Sequence, residues 1–165
     1  MTEAADNPYL RDAVMTATPE QLQLMLYDGA IRYSLQARDA LKAENFERSY
    51  DRLTRAQKII SEMQAGLNYE INRELCERVA SVYGFISRKL VDANVHRDVS
   101  AVEDALKVLR IERETWQILV DKVNKVREGR MKRDKVTPSP TADTLARDDQ
   151  AAEDEQTPAG FSAEG

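Results

Sequence analysis

Cysteine and histidine occur once each in the 165 residues, as Cys76 and His96, and that scarcity excludes most metal chemistry. Two such residues cannot build a Cys/His zinc site. No acid stands three residues before His96, so the Glu-x-x-His pair of di-iron bundles is missing too. A lone thiol cannot close an internal disulfide, and in the pattern Leu75, Cys76, Val79 it reads as a small buried hydrophobe. The six glycines are too scattered to cradle a phosphate, and none of the Gly-x-x-x-x-Gly-Lys, Gly-x-Gly-x-x-Gly or Gly-x-Ser-x-Gly runs occurs. No stretch approaches the roughly 18 apolar residues of a membrane span. The N-terminus carries Glu3, Asp6, Arg11 and Asp12 where a signal peptide needs an apolar run. These absences predict a cytoplasmic protein with no metal site, no cofactor and no direct membrane insertion; enzymes without such motifs exist, but nothing here argues for one.

Proline is equally uneven. The five prolines stand at positions 8, 19, 138, 140 and 158, which leaves 20–137 free of the strongest helix breaker. With 42% hydrophobic and 32% charged residues, the chain is apolar enough for a core and polar enough to stay in water. Thr18-Pro19-Glu20-Gln21 reads as a helix start: Thr18 caps free N–H groups, Pro19 suits the first turn and Gln21 completes a capping box. The first long helix is expected at about 19–43. Phe46, Tyr50, Leu53, Ala56, Ile60, Met63 and Leu67 mark a second, at about 46–67. Ile71, Leu75, Val79, Val82, Ile86 and Leu90 mark a third at about 72–93, and Val102, Leu106, Leu109, Trp116, Val120 and Val123 a fourth at about 99–127. Four such helices with short connections pack as an all-α antiparallel four-helix bundle over residues 19–127, preceded by an extended cap segment over 1–18.

Residues 128–165 differ in kind, with three prolines and no apolar period, and are predicted to be a disordered tail, basic at first and then acidic. From Val136 onward seven acids oppose the single base Arg147. The basic run from Lys122 to Lys135 lies at a helix C-terminus, where cations suit the macrodipole. It has no interleaved aromatics and an acidic tail beside it, so nucleic acid is not expected as a partner.

A bundle helix needs one apolar stripe, and two of these helices have a second. On the first helix Leu22, Leu26, Ala30, Tyr33, Ala37 and Leu41 share a face that reads as core, while Leu24, Tyr27, Ile31 and Leu35 stand well round from it. On the fourth, Val108, Ile111 and Ile118 leave the core stripe, with Leu119 between. On the first helix three readings stand: that helix is simply more buried than the others, the N-terminal residues Tyr9, Leu10 and Val14 fold back over the surplus, or a partner covers it. On the fourth helix fewer internal elements remain, and an amphipathic partner helix is the better fit. Gly29 marks a close approach, by a neighbouring helix or by a partner.

Several runs carry a resemblance: Asn7-Pro8-Tyr9; Thr16-Ala17-Thr18-Pro19-Glu20-Gln21-Leu22; Leu24-Met25-Leu26-Tyr27-Asp28-Gly29-Ala30-Ile31; Ala56-Gln57-Lys58-Ile59-Ile60; and Leu90-Val91-Asp92-Ala93-Asn94. Together with the late Trp116, they resemble the FliS family of flagellin export chaperones over residues 7 to about 125. The spacer between Asn-Pro-Tyr and Thr-Ala-Thr-Pro is shorter than the family's usual one, and the acidic tail is outside its pattern. The resemblance implies a cytoplasmic, non-enzymatic chaperone, monomeric or weakly dimeric. Such a chaperone binds the disordered C-terminal segment of flagellin, blocks premature polymerisation and delivers its client to the cytoplasmic domain of a flagellar export-gate membrane protein. On periodicity, client binding maps to Leu24, Tyr27, Ile31, Leu35, Val108, Ile111, Ile118 and Leu119, and cap or gate docking to Tyr9, Leu10 and Val14. The alternative is a helical scaffold that self-associates through the second stripes.

Overall fold

Each of the helices starts on a side chain suited to receive its free N–H groups. In the computed structural model, which describes residues 7–136, α1 (Pro8–Thr16) follows Asn7, whose Oδ1 accepts from the amides of Tyr9 and Leu10. α2 (Pro19–Lys42) has the capping box foreseen in the sequence: Gln21 N–H donates to Thr18 Oγ1, and Thr18 N–H donates to Gln21 Oε1 at 2.9 Å. Asn45 and Asn72 cap α3 (Phe46–Ala65) and α4 (Arg73–His96) through Arg48 N–H and Leu75 N–H. α5 (Val99–Val136) begins after Asp98, whose carboxylate accepts from Ser100 N–H at 2.8 Å. The cap is therefore Asp98 itself, and Ser100 lies inside the first turn.

Several boundaries differ from the sequence expectation, and α3 ends at Ala65, two residues before the expected 67. Residues 8–16 form a helix rather than an extended cap, because Asn7 and Pro8 make a good N-terminus. α4 begins at Arg73, where Asn72 caps it, and runs on to His96. It ends where Arg97 takes the left-handed conformation (φ 56°), its guanidinium stacked 3.9 Å above the Phe46 ring. α5 continues through 128–136, since nothing before Pro138 stops it. The predicted disorder of the remaining tail lies outside the described residues.

The chain divides into two units, Met1–Val123 and Asn124–Gly165. In the first, α2 to α5 form an antiparallel four-helix bundle. α2 and α5 run in opposite directions, as Lys42–Glu103, Asp28–Arg113 and Glu20–Trp116 contacts succeed one another along them. Lys89 of α4 meets Asp104 of α5 at 2.9 Å, which pulls the Asp104 carboxyl below its ordinary value. The centre is Leu53, Ile60, Ile86, Leu90, Val102 and Leu109, all fully buried. On α2 the deepest positions are small: Ala30, Ser34 and Ala37 are each 0% exposed. Gly29 faces α3, where an added Cβ would lie 3.2 Å from Ile59 Cδ1, so the close approach is made by a neighbouring helix of the bundle.

Ser34 Oγ is buried without a hydrogen-bond partner. A lone buried hydroxyl costs about 1–3 kcal/mol, and alanine fits the same space with better helix propensity. Ser34→Ala is accordingly expected to raise stability by about 1 kcal/mol in urea unfolding; a loss of stability would show that the hydroxyl is satisfied in solution.

Candidate functional site

The surplus apolar surface falls in two places, and only one matches the face read from periodicity. On α5, Ile111, Ile118 and Leu119 are 60%, 50% and 45% exposed, and they point away from the core residues Leu106, Leu109 and Val120. Thr115 donates its hydroxyl to the Ile111 carbonyl at 2.8 Å, which ties up the polar group standing between Ile111 and Ile118. Val108 does not join this stripe: it is half-buried against the core.

On α2 the two stripes are the flanks of one broad apolar arc whose middle is Tyr27, Ala30, Ser34 and Ala37. Leu24 and Tyr27, expected on an outer surface, are buried, and Ile31 and Leu35 are half-buried against the core. The bulky residues of the other stripe, Leu22, Leu26 and Tyr33, are half-buried and line a groove of about 680 Å³ between α2 and α3. The exchange follows from residue size. Small side chains let the middle of α2 press into the bundle, which turns Leu24 and Tyr27 inward and leaves Leu22 and Leu26 at the seam.

Leu10 and Val14 of α1 line the same groove, so the N-terminal residues do fold back over helix surface, but over the α2/α3 seam rather than the stripe assigned to them. α1 has no buried residue, Val14 is 43% exposed, and Tyr9, at 82%, projects into solvent. Met25 and Ile59 complete the apolar lining. These two were missed. The signal that could have found them is Gly29, which brings α3 close enough for Ile59 to reach the seam. The rim is charged. Arg32, Arg52 and Arg55 surround the Tyr33 ring at 5.3, 5.8 and 5.8 Å, and Asp51 holds Arg55 at 3.1 Å.

Behind these surfaces lies a polar cluster. Tyr27 Oη and Tyr83 Oη are 2.9 Å apart across the bundle, and Gln23 Nε2 donates to Tyr83 Oη at 3.1 Å. Burial, then the contact with Tyr83, pushes the Tyr27 hydroxyl far above its ordinary value; burial raises Tyr83 as well. The nearby Glu112 carboxyl is raised by burial alone. Trp116 Nε1 donates to the Glu20 carbonyl at 2.9 Å and Arg113 pairs with Asp28 at 2.9 Å, fixing α5 against α2. Cys76 is half-buried, with its thiol 3.3 Å from the Asn68 carbonyl. Among the described residues no group of three or more His, Cys, Asp or Glu is placed to hold a metal ion. Among them, too, no helix is long and apolar enough to cross a membrane.

A helical bundle with a sealed core, an open apolar seam and a second outward apolar stripe has the surface of a protein-binding module, one that can bury amphipathic helices. The family model for "Flagellar protein FliS" matches residues 1–123. The chain is 33% identical over 129 residues to the flagellar secretion chaperone FliS of Bacillus subtilis, covering 76% of this chain and 96% of that one. It is 31% identical over 116 residues to the Salmonella typhimurium chaperone of the same name, covering 70% and 86%. A crystal structure of a bacterial flagellar chaperone superposes with a TM-score of 0.60 at 19% identity, over 70% of this chain and 94% of that one, and shares the fold. The chain belongs to the FliS family, which is a family of flagellar secretion chaperones and not of enzymes.

Two measurements probe the polar cluster. Tyr83→Phe should cost about 1–3 kcal/mol by stranding the Tyr27 hydroxyl, Tyr27→Phe less because Tyr83 Oη keeps its bond from Gln23, and the double variant less than their sum, in a urea double-mutant cycle. Strict additivity would mean the hydroxyls do not interact. For Glu112 the folded carboxyl titrates above its ordinary 4.5, so its ionisation opposes folding above that range and has no effect below it. Glu112→Gln is expected to be more stable than wild type at neutral pH, with the difference closing as pH falls below about 4. Equal stability at both pH values would remove the burial effect.

Proposed function

We propose that this protein is a flagellin chaperone. It binds the C-terminal segment of flagellin as amphipathic helices, keeps it from polymerising in the cytoplasm, and delivers it to the cytoplasmic domain of an export-gate membrane protein. The observation that carries this reading is the exposed stripe Ile111, Ile118 and Leu119 on a helix whose opposite face supplies the core. Such a stripe is the surface to which anchors at i, i+3 and i+7 of a partner helix bind. The α2/α3 seam offers a second place for a client helix, with Leu10, Leu22, Met25 and Leu26 as its floor and arginines on its rim. Because α1 buries no residue, it is the element a client can displace at least cost. Tyr9, exposed at its tip, suits docking to the gate.

The decisive measurement is isothermal titration with the C-terminal segment of flagellin from the same organism, with circular dichroism of the mixture. Tight one-to-one binding with a large negative heat-capacity change and added helix is expected, the signature of folding coupled to binding. Ile118→Asp should weaken that binding by more than about 1 kcal/mol, because apolar burial is lost, and leave the thermal transition within a few degrees. Unchanged affinity would remove the α5 stripe from the client surface. A defined oligomer without client, and no binding, would assign the stripe to self-association of a scaffold instead.

A further inference from the structure

The family match and the bundle unit both end at residue 123, so residues 124–165 are an addition to the chaperone body. Within Asn124–Val136 the sequence carries six bases, Lys125, Arg127, Arg130, Lys132, Arg133 and Lys135, against Glu128 and Asp134. All are on one helix. Lys125, Arg130 and Lys132 are exposed and have no ion-pair partner among the described residues, and Val126 and Met131 beside them are 67% and 62% exposed. The macrodipole accounts only for cations in the last turn, and Lys125 and Arg130 lie before it. This end of α5 therefore carries exposed bases on several of its sides, with exposed apolar residues among them.

Residues 137–165 carry the complementary charge: Asp143, Asp148, Asp149, Glu153, Asp154, Glu155 and Glu164 against Arg147. The geometry points to the occupant. We propose that this acidic segment of the same chain folds back on the basic end of α5 and covers it electrostatically. From Val136 back to Lys125 is about 16 Å along a helix. The seven residues from Val136 to Asp143 reach up to about 23 Å when extended, so the acids beyond Asp143 can return along the whole basic stretch. Covalent attachment gives the segment a local concentration on the order of millimolar, which a free acidic competitor must exceed. Leu145 and Phe161 offer apolar contacts for Val126 and Met131. This inference is independent of which client the bundle binds.

The test uses the full chain, isotope-labelled, compared with a variant in which Asp143, Asp148, Asp149 and Asp154 become Asn and Glu153 and Glu155 become Gln. Backbone amide shifts that differ between the two and concentrate at residues 125–133 are expected. They should fade as salt rises from about 0.1 M to about 1 M, which shortens the screening length from about 10 Å to about 3 Å. Lys125→Glu, Arg130→Glu and Lys132→Glu together should abolish them. Absence of differences at 125–133, or differences indifferent to salt, overturns the proposal. Differences that vanish on tenfold dilution would place a second copy's tail on α5 and overturn it likewise. As a check on the other anionic occupant, full chain that sediments with phosphatidylcholine–phosphatidylglycerol vesicles as strongly as the neutralised variant would show that the basic face is open to lipid, and the proposal would fail.

Discussion

The structure depends on how closely α2 can approach the bundle axis. Ala30, Ser34 and Ala37 occupy its innermost line with no exposed surface, and Gly29 removes the Cβ that would meet Ile59 of α3. With a bulky residue at any of these positions the helix would have to move outward, and packed interiors accommodate such changes poorly. Once it is seated, the larger residues on either side are committed: Leu24 is buried and Ile31 half-buried beside Tyr27, while Leu26 and Tyr33, packed on the core at one edge, line the seam with α3 together with Leu22. The apolar groove is therefore a by-product of the core. The same small residues that close the interior leave large ones stranded at its edge.

That dependence explains what was legible in the sequence. The four long helices were legible in outline but not at all of their ends, because caps and periodicity are local: Thr18 with Gln21, and the Leu53–Ala56–Ile60–Met63 spacing, needed no tertiary information, whereas α5 past 127 lacks an apolar period. The outward stripe on α5 was legible as well, since Ile111 and Ile118 stand opposite Leu109 and Val120 on a helix whose core face is unambiguous. On α2 periodicity failed, because apolar residues cover well over half of the helix and a stripe can be drawn through them in more than one way. What decides between the choices is side-chain volume. Counting Ala30 and Ala37 as equal to Leu22 and Leu26 placed the core one flank away from its true centre. The helix at 8–16 was missed for a different reason: Asn7-Pro8 is a helix start, but the segment is too short to show a convincing period.

Stability and binding are separable here to a large degree. The hydrophobic centre is shared by α2 to α5, and the Tyr27–Tyr83 contact is enclosed within it. The surfaces assigned to a client, by contrast, use residues that contribute little to that centre: Ile111 and Ile118 lie outside it, and α1 buries nothing. A partner that covers them gains apolar burial without the bundle having to reorganise, which keeps the cost of binding low. Arg113–Asp28 and Trp116–Glu20 hold α5 in place directly behind its exposed stripe, so the stripe is presented on a fixed helix.

The charge pattern completes the division. Within the bundle, described charges pair across helix seams, as Lys42–Glu103, Lys89–Asp104 and Arg113–Asp28 do, and such exposed pairs set register more than they add stability. After residue 123 the pattern changes to a block of bases followed by a block of acids. With six bases against Glu128 and Asp134, the first block keeps a net positive charge that i, i+4 pairing along its helix does not neutralise; contact with a distant acidic part of the chain or with another molecule can. Because both blocks lie beyond the region shared with the family, selection on the bundle does not account for either of them. A pairing between the two accounts for both with a single interaction.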